Sequence, residues 1–125
     1  MPVQSGVSAE VELVVTEADT AVALGSGNVL VLGTPRIVAL CEEASCAAIE
    51  SSLHPGETTV GLRVELTHLA PTKVGGRVRA EATLERTEGR RLVFTVSVTD
   101  HCGLVAAGKV TRVVVNVDQF MEKAR

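Results

Sequence analysis

The chain has 125 residues, enough for one domain spanning residues 1–125 with its own core, and a formal net charge of −3. Apolar residues make up 46%, yet aromatics are only 2%, with no Trp and no Tyr, so the stacking platforms of single-strand nucleic-acid binders are excluded. The acidic balance likewise excludes the basic footprint of a duplex binder, which leaves neutral or small partners and a core built from Val, Leu, Ile and Ala.

Met1 to Glu10 has neither a basic region nor an apolar run, so no secretory leader is expected. Val11 to Val15 reads as a strand. Thr20 to Leu32 is small and apolar, with a turn or loop at Gly25-Ser26-Gly27-Asn28. Thr34-Pro35 predicts a helix start, with Thr34 as the hydroxyl cap and Pro35 at the first helical position. The helix is apolar around much of its circumference, and small residues at Ala39, Ala44, Ser45, Ala47 and Ala48 would let a sheet approach on several sides. It should therefore be central, and end near His54-Pro55-Gly56. The period then switches to two. Val60, Leu62, Val64 and Leu66 share one face of a strand that His68 closes, and a turn follows at Pro71–Gly76. Two more strands flank the hairpin Glu88-Gly89-Arg90, and a last one runs from Leu104 to Val117. Consecutive strands joined by short turns are expected to pair as a four-strand antiparallel meander. Asp118–Lys123 adds one helical turn. An antiparallel sheet wrapped around one long helix is an α+β hotdog fold.

Cys41, Cys46 and Cys102 have no metal-ligand spacing, and their odd count argues against a disulfide framework. Reduced thiols in a cytoplasmic protein are expected, with no metal. No stretch approaches the roughly 20 apolar residues of a membrane helix, so no membrane partner is expected either.

Three residues carry candidate chemistry. Glu42 lies eight residues after Thr34, about 12 Å along the helix and about 80° around it. It either points to solvent with Glu43, or sits buried as a base or nucleophile. His68 shares the apolar face, where a lone His is either a hydrogen-bonded core residue or a catalyst. Thr34 places a hydroxyl beside the free N–H groups of a helix start, a setting suited to a developing oxyanion. Gly61 exposes backbone within a strand, which marks a bulge or a close ligand approach. Arg112, on the last strand, can meet a phosphate or a carboxylate. His54 and His101 fall in turns and read as solvated.

The stretch Thr34 to Glu42, the run Val60-Gly61 to Thr67-His68-Leu69-Ala70-Pro71-Thr72, and the hairpin Glu88-Gly89-Arg90-Arg91-Leu92 together resemble the fluoroacetyl-CoA thioesterase family of hotdog proteins. The resemblance implies an acyl-CoA thioester hydrolase whose catalytic set is Thr34, Glu42 and His68. It implies substrate contacts from Gly61, His68 and Arg112, with coenzyme A present only as part of the substrate and no separate cofactor. It also implies a homodimer with sites at the subunit interface, a higher homo-oligomer being the alternative. The fluoroacetyl-specific branch has aromatics in a lid before the catalytic threonine, whereas Gly25-Ser26-Gly27-Asn28 has none, so a different small acyl group is expected. Two other readings stand beside hydrolysis: a non-catalytic acyl-CoA or CoA-binding hotdog module, and a hotdog enoyl-CoA hydratase or dehydratase.

Overall fold

Five strands alternate with one long helix in the computed structural model, which describes residues 3–125. Strand β1 (Ser8–Val14) leads through a short helix α1 (Ala21–Leu24) to α2 (Thr34–Ile49). Strands β2 (Glu57–His68), β3 (Arg77–Glu88), β4 (Arg91–Asp100) and β5 (Gly103–Asn116) follow, and α3 (Val117–Lys123) closes the chain. They form one antiparallel sheet in the order β1-β3-β4-β5-β2, curved over α2.

This order corrects the expected meander. Only β3, β4 and β5 pair in sequence; β2 pairs with β5 at the far edge. The segment between β2 and β3 crosses the end of the sheet instead of turning tightly. The Leu32 N–H donates to the Thr72 carbonyl at 2.8 Å, and the Gly75 N–H to the Val15 carbonyl at 2.7 Å. β1 thereby occupies the side of β3 that β2 would have taken. Period-two alternation identifies a strand but carries no information about its neighbour.

A second correction concerns the faces of β2. A bulge falls between Gly61 and Arg63, and a bulge inserts one unpaired residue and shifts the alternation. Before it, Thr59 and Gly61 lie opposite Val114 and Arg112 of β5; after it, Val64, Leu66 and His68 lie opposite Val110, Gly108 and Ala106. Because Ala106, Val110, Arg112 and Val114 are all buried on the helix side, the inward residues of β2 change from odd to even across the bulge. Val60 and Leu62 do not share a face with His68 after all, and Leu62 is 52% exposed.

Helix α2 buries Ile37, Leu40, Cys41, Ala44, Ser45 and Ile49. All but Ser45 join Ala80, Ala82, Phe94 and Val96 in one apolar cluster, and the small Ala and Ser side chains let the helix lie close to the sheet. Each fully buried Leu, Ile or Phe contributes about 1.5–3 kcal/mol of transfer free energy. The helix packs mainly against β1 and β3 and touches β2 and β5 sparingly. Its far side is not wrapped within one chain, as the sequence led one to expect: Val38 and Ala39 are half-buried and Ala47 is exposed. No helix among the described residues is long and apolar enough to cross a membrane.

Candidate active site

The sparse packing of α2 against β2 and β5 leaves a groove of about 630 Å³, lined among others by Ala39, Glu42, Cys46, Thr59 and Arg112. Glu42 projects from α2 and its Oε2 accepts from Arg112 Nη1 at 2.5 Å. Arg112 is fixed from behind: its Nε donates to Thr59 Oγ1 at 2.9 Å and its Nη2 to the Thr59 carbonyl at 2.8 Å. Three donors are thus used on two partners, an arrangement that a lysine could not reproduce. The Arg112 side chain is 10% exposed and that of Glu42 is 31% exposed. The arginine is therefore an internal counter-ion, and the carboxylate reaches the groove. Oε1 of Glu42 has no hydrogen-bond partner among the described residues. Of the two sequence readings of Glu42, the solvated helix edge belongs instead to Glu43, which is exposed and pairs with Arg36.

Gly61 lies directly under this pair. A Cβ there would sit 2.6 Å from Glu42 Oε2 and 3.5 Å from Arg112 Nη1. Any larger residue here would therefore push the Glu42 carboxylate from its place, and the constraint comes from that close approach, not from an unusual backbone angle.

The second half of the site is at the start of α2. Thr34 is not the cap. Gly33 is, with its carbonyl accepting from the N–H groups of Arg36 and Ile37 at 3.0 and 3.2 Å, and Pro35 is the second helical residue. A side chain at position 33 would meet Ala21 backbone at 3.1 Å and the Leu24 side chain at 2.9 Å, so the capping position is crowded and glycine fits it without displacement. The hydroxyl of Thr34, freed from capping, lies 2.8 Å from His68 Nδ1. On the other side of the ring, His68 Nε2 is 3.1 Å from the Ala70 carbonyl. A carbonyl can only accept, so Nε2 carries the proton. In the neutral ring Nδ1 is then the acceptor, and Thr34 donates to it. The imidazole is thus held in the tautomer that can withdraw a proton from the threonine. His68 is half-buried and Thr34 is exposed; a recess of about 220 Å³, lined by Val31, His68, Leu69, Ala70 and Pro71, adjoins them.

The structure therefore groups the five sequence candidates into two constellations, Thr34 with His68 and Glu42 with Arg112 and Gly61. No hydrogen bond joins the two within one chain among the described residues. His54 and His101 are exposed, as expected of solvated turns. Cys41 is no nucleophile: burial, and then the charge of Glu42, push its thiol up to about 11.

Three participants were not singled out from sequence. Thr59 left a faint trace, since it precedes Gly61 by one strand period. The Ala70 carbonyl that sets the histidine tautomer has no sequence signal at all. Asp19 braces the start of α2, its carbonyl accepting from the Gly33 N–H at 2.9 Å and its carboxylate from Arg36 at 3.2 Å. Burial disfavours that carboxylate, but hydrogen bonds from Thr16 and Arg36 outweigh it and hold its pKa below the ordinary 3.8.

With this geometry in place, comparison with known proteins is informative. The family described as fluoroacetyl-CoA-specific thioesterase matches residues 15–118. A fluoroacetyl-CoA thioesterase of Streptantibioticus cattleyicolor is 36% identical over 95 residues, covering 76% of this chain and 68% of its own length. Among solved structures, a threonine-to-alanine variant of a fluoroacetyl-CoA thioesterase in complex with fluoroacetate superposes with a TM-score of 0.90 at 29% identity, covering 97% of this chain and 96% of that one. A thioesterase superfamily member from Thermus thermophilus gives a TM-score of 0.89 at 31% identity, covering 97% and 90%. The order β1-β3-β4-β5-β2 around one long helix is the hotdog fold of these neighbours, and the chain belongs to the fluoroacetyl-CoA-specific thioesterase family.

Proposed function

We propose that this chain hydrolyses a small acyl-CoA thioester through Thr34, Glu42 and His68, as a homodimer in the cytoplasm. One observation carries the residue assignment: a hydroxyl donating to a tautomer-fixed imidazole shares helix α2 with a carboxylate held by a buried arginine. Glu42 either adds to the thioester carbonyl, expelling the CoA thiolate and leaving a mixed anhydride for water to cleave, or takes a proton from the water that attacks. His68 and Thr34 exchange the proton that the thiolate or the tetrahedral oxygen requires. The Gly61 backbone contacts the carbonyl. Coenzyme A enters only as the leaving group, and the chemistry calls for no separate cofactor.

The dimer follows from the sheet edge. β2 has a partner on one side only, and Leu62 stands exposed in the middle of it. A long unpaired edge is a template for another strand. Antiparallel pairing of two β2 strands about a two-fold axis would set the His68 end of one protomer beside the Glu42 end of its partner. That contact would complete a site that one chain leaves in two halves.

The acyl group is set by the segment before α2. Residues 22–30 are all exposed, and Gly25-Ser26-Gly27-Asn28 offers no aromatic ring to enclose a fluorinated acetyl group. Selectivity for fluoroacetyl is not expected.

A screen over acyl-CoA thioesters of varied length and polarity, read by thiol release alongside the mass in solution, tests this proposal. Turnover of a short acyl-CoA by a dimer is the expected result. CoA binding without turnover of any thioester would instead favour the binding module, and hydration of an enoyl-CoA would favour the hydratase. Gly61→Ala is expected to lower kcat/KM by about 10²-fold through displacement of Glu42, the scale of a 1 Å misplacement. Its circular dichroism should be unchanged, and wild-type rates would show that the position of Glu42 is immaterial.

A further inference from the structure

Most of the chain's cations are consumed in ion pairs. Arg36, Arg63, Arg77, Arg79, Arg86, Lys109 and Arg112 each meet a carboxylate. The cations without one, among the described residues, are Lys73, Arg90, Arg91, Lys123 and Arg125. All but Lys73 fall in two segments, the β3–β4 hairpin and the stretch from the end of α3 to Arg125. Arg90 and Lys123 line the same groove of about 270 Å³, together with Asn116, Gln119 and Phe120, and no carboxylate lines it. In a chain of net charge −3, this concentrates unneutralised positive charge at one place. The one aromatic ring the fold does not bury is there too: Phe94 is fully buried, whereas Phe120 is 41% exposed.

The groove adjoins the candidate active site. Thr58 and Thr59 line the Glu42 groove; their register partners on β5, Val115 and Val114, line the basic one. The two hollows thus share the β2–β5 pair at the corner of the sheet as a common wall.

We propose that this groove binds the phosphorylated adenosine end of the acyl-CoA, with Arg90 and Lys123 on its phosphates and Phe120 against the adenine. Two free cations beside an exposed ring match a ligand that is anionic at one part and flat at another. The Arg90 guanidinium is free for this task, since its one hydrogen bond among the described residues is a long 3.4 Å contact to the Val114 carbonyl. The proposal rests on the thioesterase reading for its substrate, but not for its test.

The probe is adenosine 3′,5′-bisphosphate, whose binding needs no turnover. It is titrated calorimetrically against wild type, Arg90→Gln/Lys123→Gln and Phe120→Ala, with melting curves to confirm folding. In parallel, each protein is assayed on one acyl group carried by CoA and by N-acetylcysteamine, which lacks the nucleotide. The double variant should bind the bisphosphate at least tenfold more weakly and show a comparable rise in KM for acyl-CoA. Its kcat, and its kinetics on the truncated thioester, should not change, and the difference should shrink as salt is raised. Loss of bisphosphate affinity in a protein that hydrolyses neither thioester would uphold the groove and sink the hydrolase. Undetectable bisphosphate binding by wild type, binding unaltered in the variants, or a KM rise equal on both thioesters would overturn the groove assignment.

Discussion

Glu42→Gln should reduce kcat/KM for a hydrolysed acyl-CoA by about 10²- to 10⁴-fold, the range contributed by a positioned general base. A nucleophilic role would place the loss at the upper end or beyond. The substitution keeps the size of the side chain and an acceptor for Arg112, so the groove retains its shape while the negative charge disappears. Arg112, only 10% exposed on its side chain, then keeps its bonds to Thr59 but loses its counter-ion. A stability decrease of about 1–3 kcal/mol is expected and can be measured by urea denaturation. The two effects separate cleanly, because a folded variant at saturating substrate still reports the chemical step. Rapid-quench mass spectrometry distinguishes the two roles of Glu42 in the wild type: an acyl adduct on Glu42 marks direct attack, and its absence through the first turnover marks activation of water. A Glu42→Gln protein with wild-type kcat/KM would remove the carboxylate from the reaction altogether.

Removing the imidazole should be nearly as damaging. His68→Ala is expected to lower kcat/KM by about 10²-fold or more. Thr34→Ala should fall in the same range, while Thr34→Ser, which keeps the hydroxyl donor, should retain most activity. Because Thr34 donates to Nδ1 at 2.8 Å, the two act as a unit. The Thr34→Ala/His68→Ala double variant should therefore be little worse than either single one. Full multiplicativity of the two losses would mean that the observed hydrogen bond plays no part in turnover. Neither side chain belongs to the apolar core, so melting temperatures should stay close to wild type and the kinetics can be read directly.

The sequence made some of this legible for physical reasons that can be named. The inward residues of β3 and β4 are buried where strict alternation puts them: Val78, Ala80, Ala82 and Leu84, then Leu92, Phe94, Val96 and Val98. The long helix was visible from its small and apolar residues. Strand order was not, because alternation fixes a face and leaves the partner open. The cap was misread because Thr-Pro is a strong local signal, whereas the choice of Gly33 depends on Ala21 and Leu24 crowding it from a distant segment. Glu42 and Arg112 were both suspected, but their pairing across helix and strand is a product of the tertiary fold. The tautomer of His68 was beyond sequence altogether, since a backbone carbonyl sets it.

The bulge in β2 has a consequence for how this site tolerates change in the length of its gene. Gly61 and His68 are separated by an odd count along a strand whose sides alternate, so an unbroken ladder would turn them to opposite sides. Leu62 is the half-step that restores their phase. With the bulge kept, a frame-preserving loss or gain of a single codon elsewhere between them would send one of the two outward without altering either, and a change of two codons would keep both facing inward; loss of Leu62 itself would remove the bulge and leave an even count that also keeps both inward. Between these positions the geometry of the candidate site is therefore governed by parity, and Leu62, an exposed residue with no chemistry of its own, is the one that sets it.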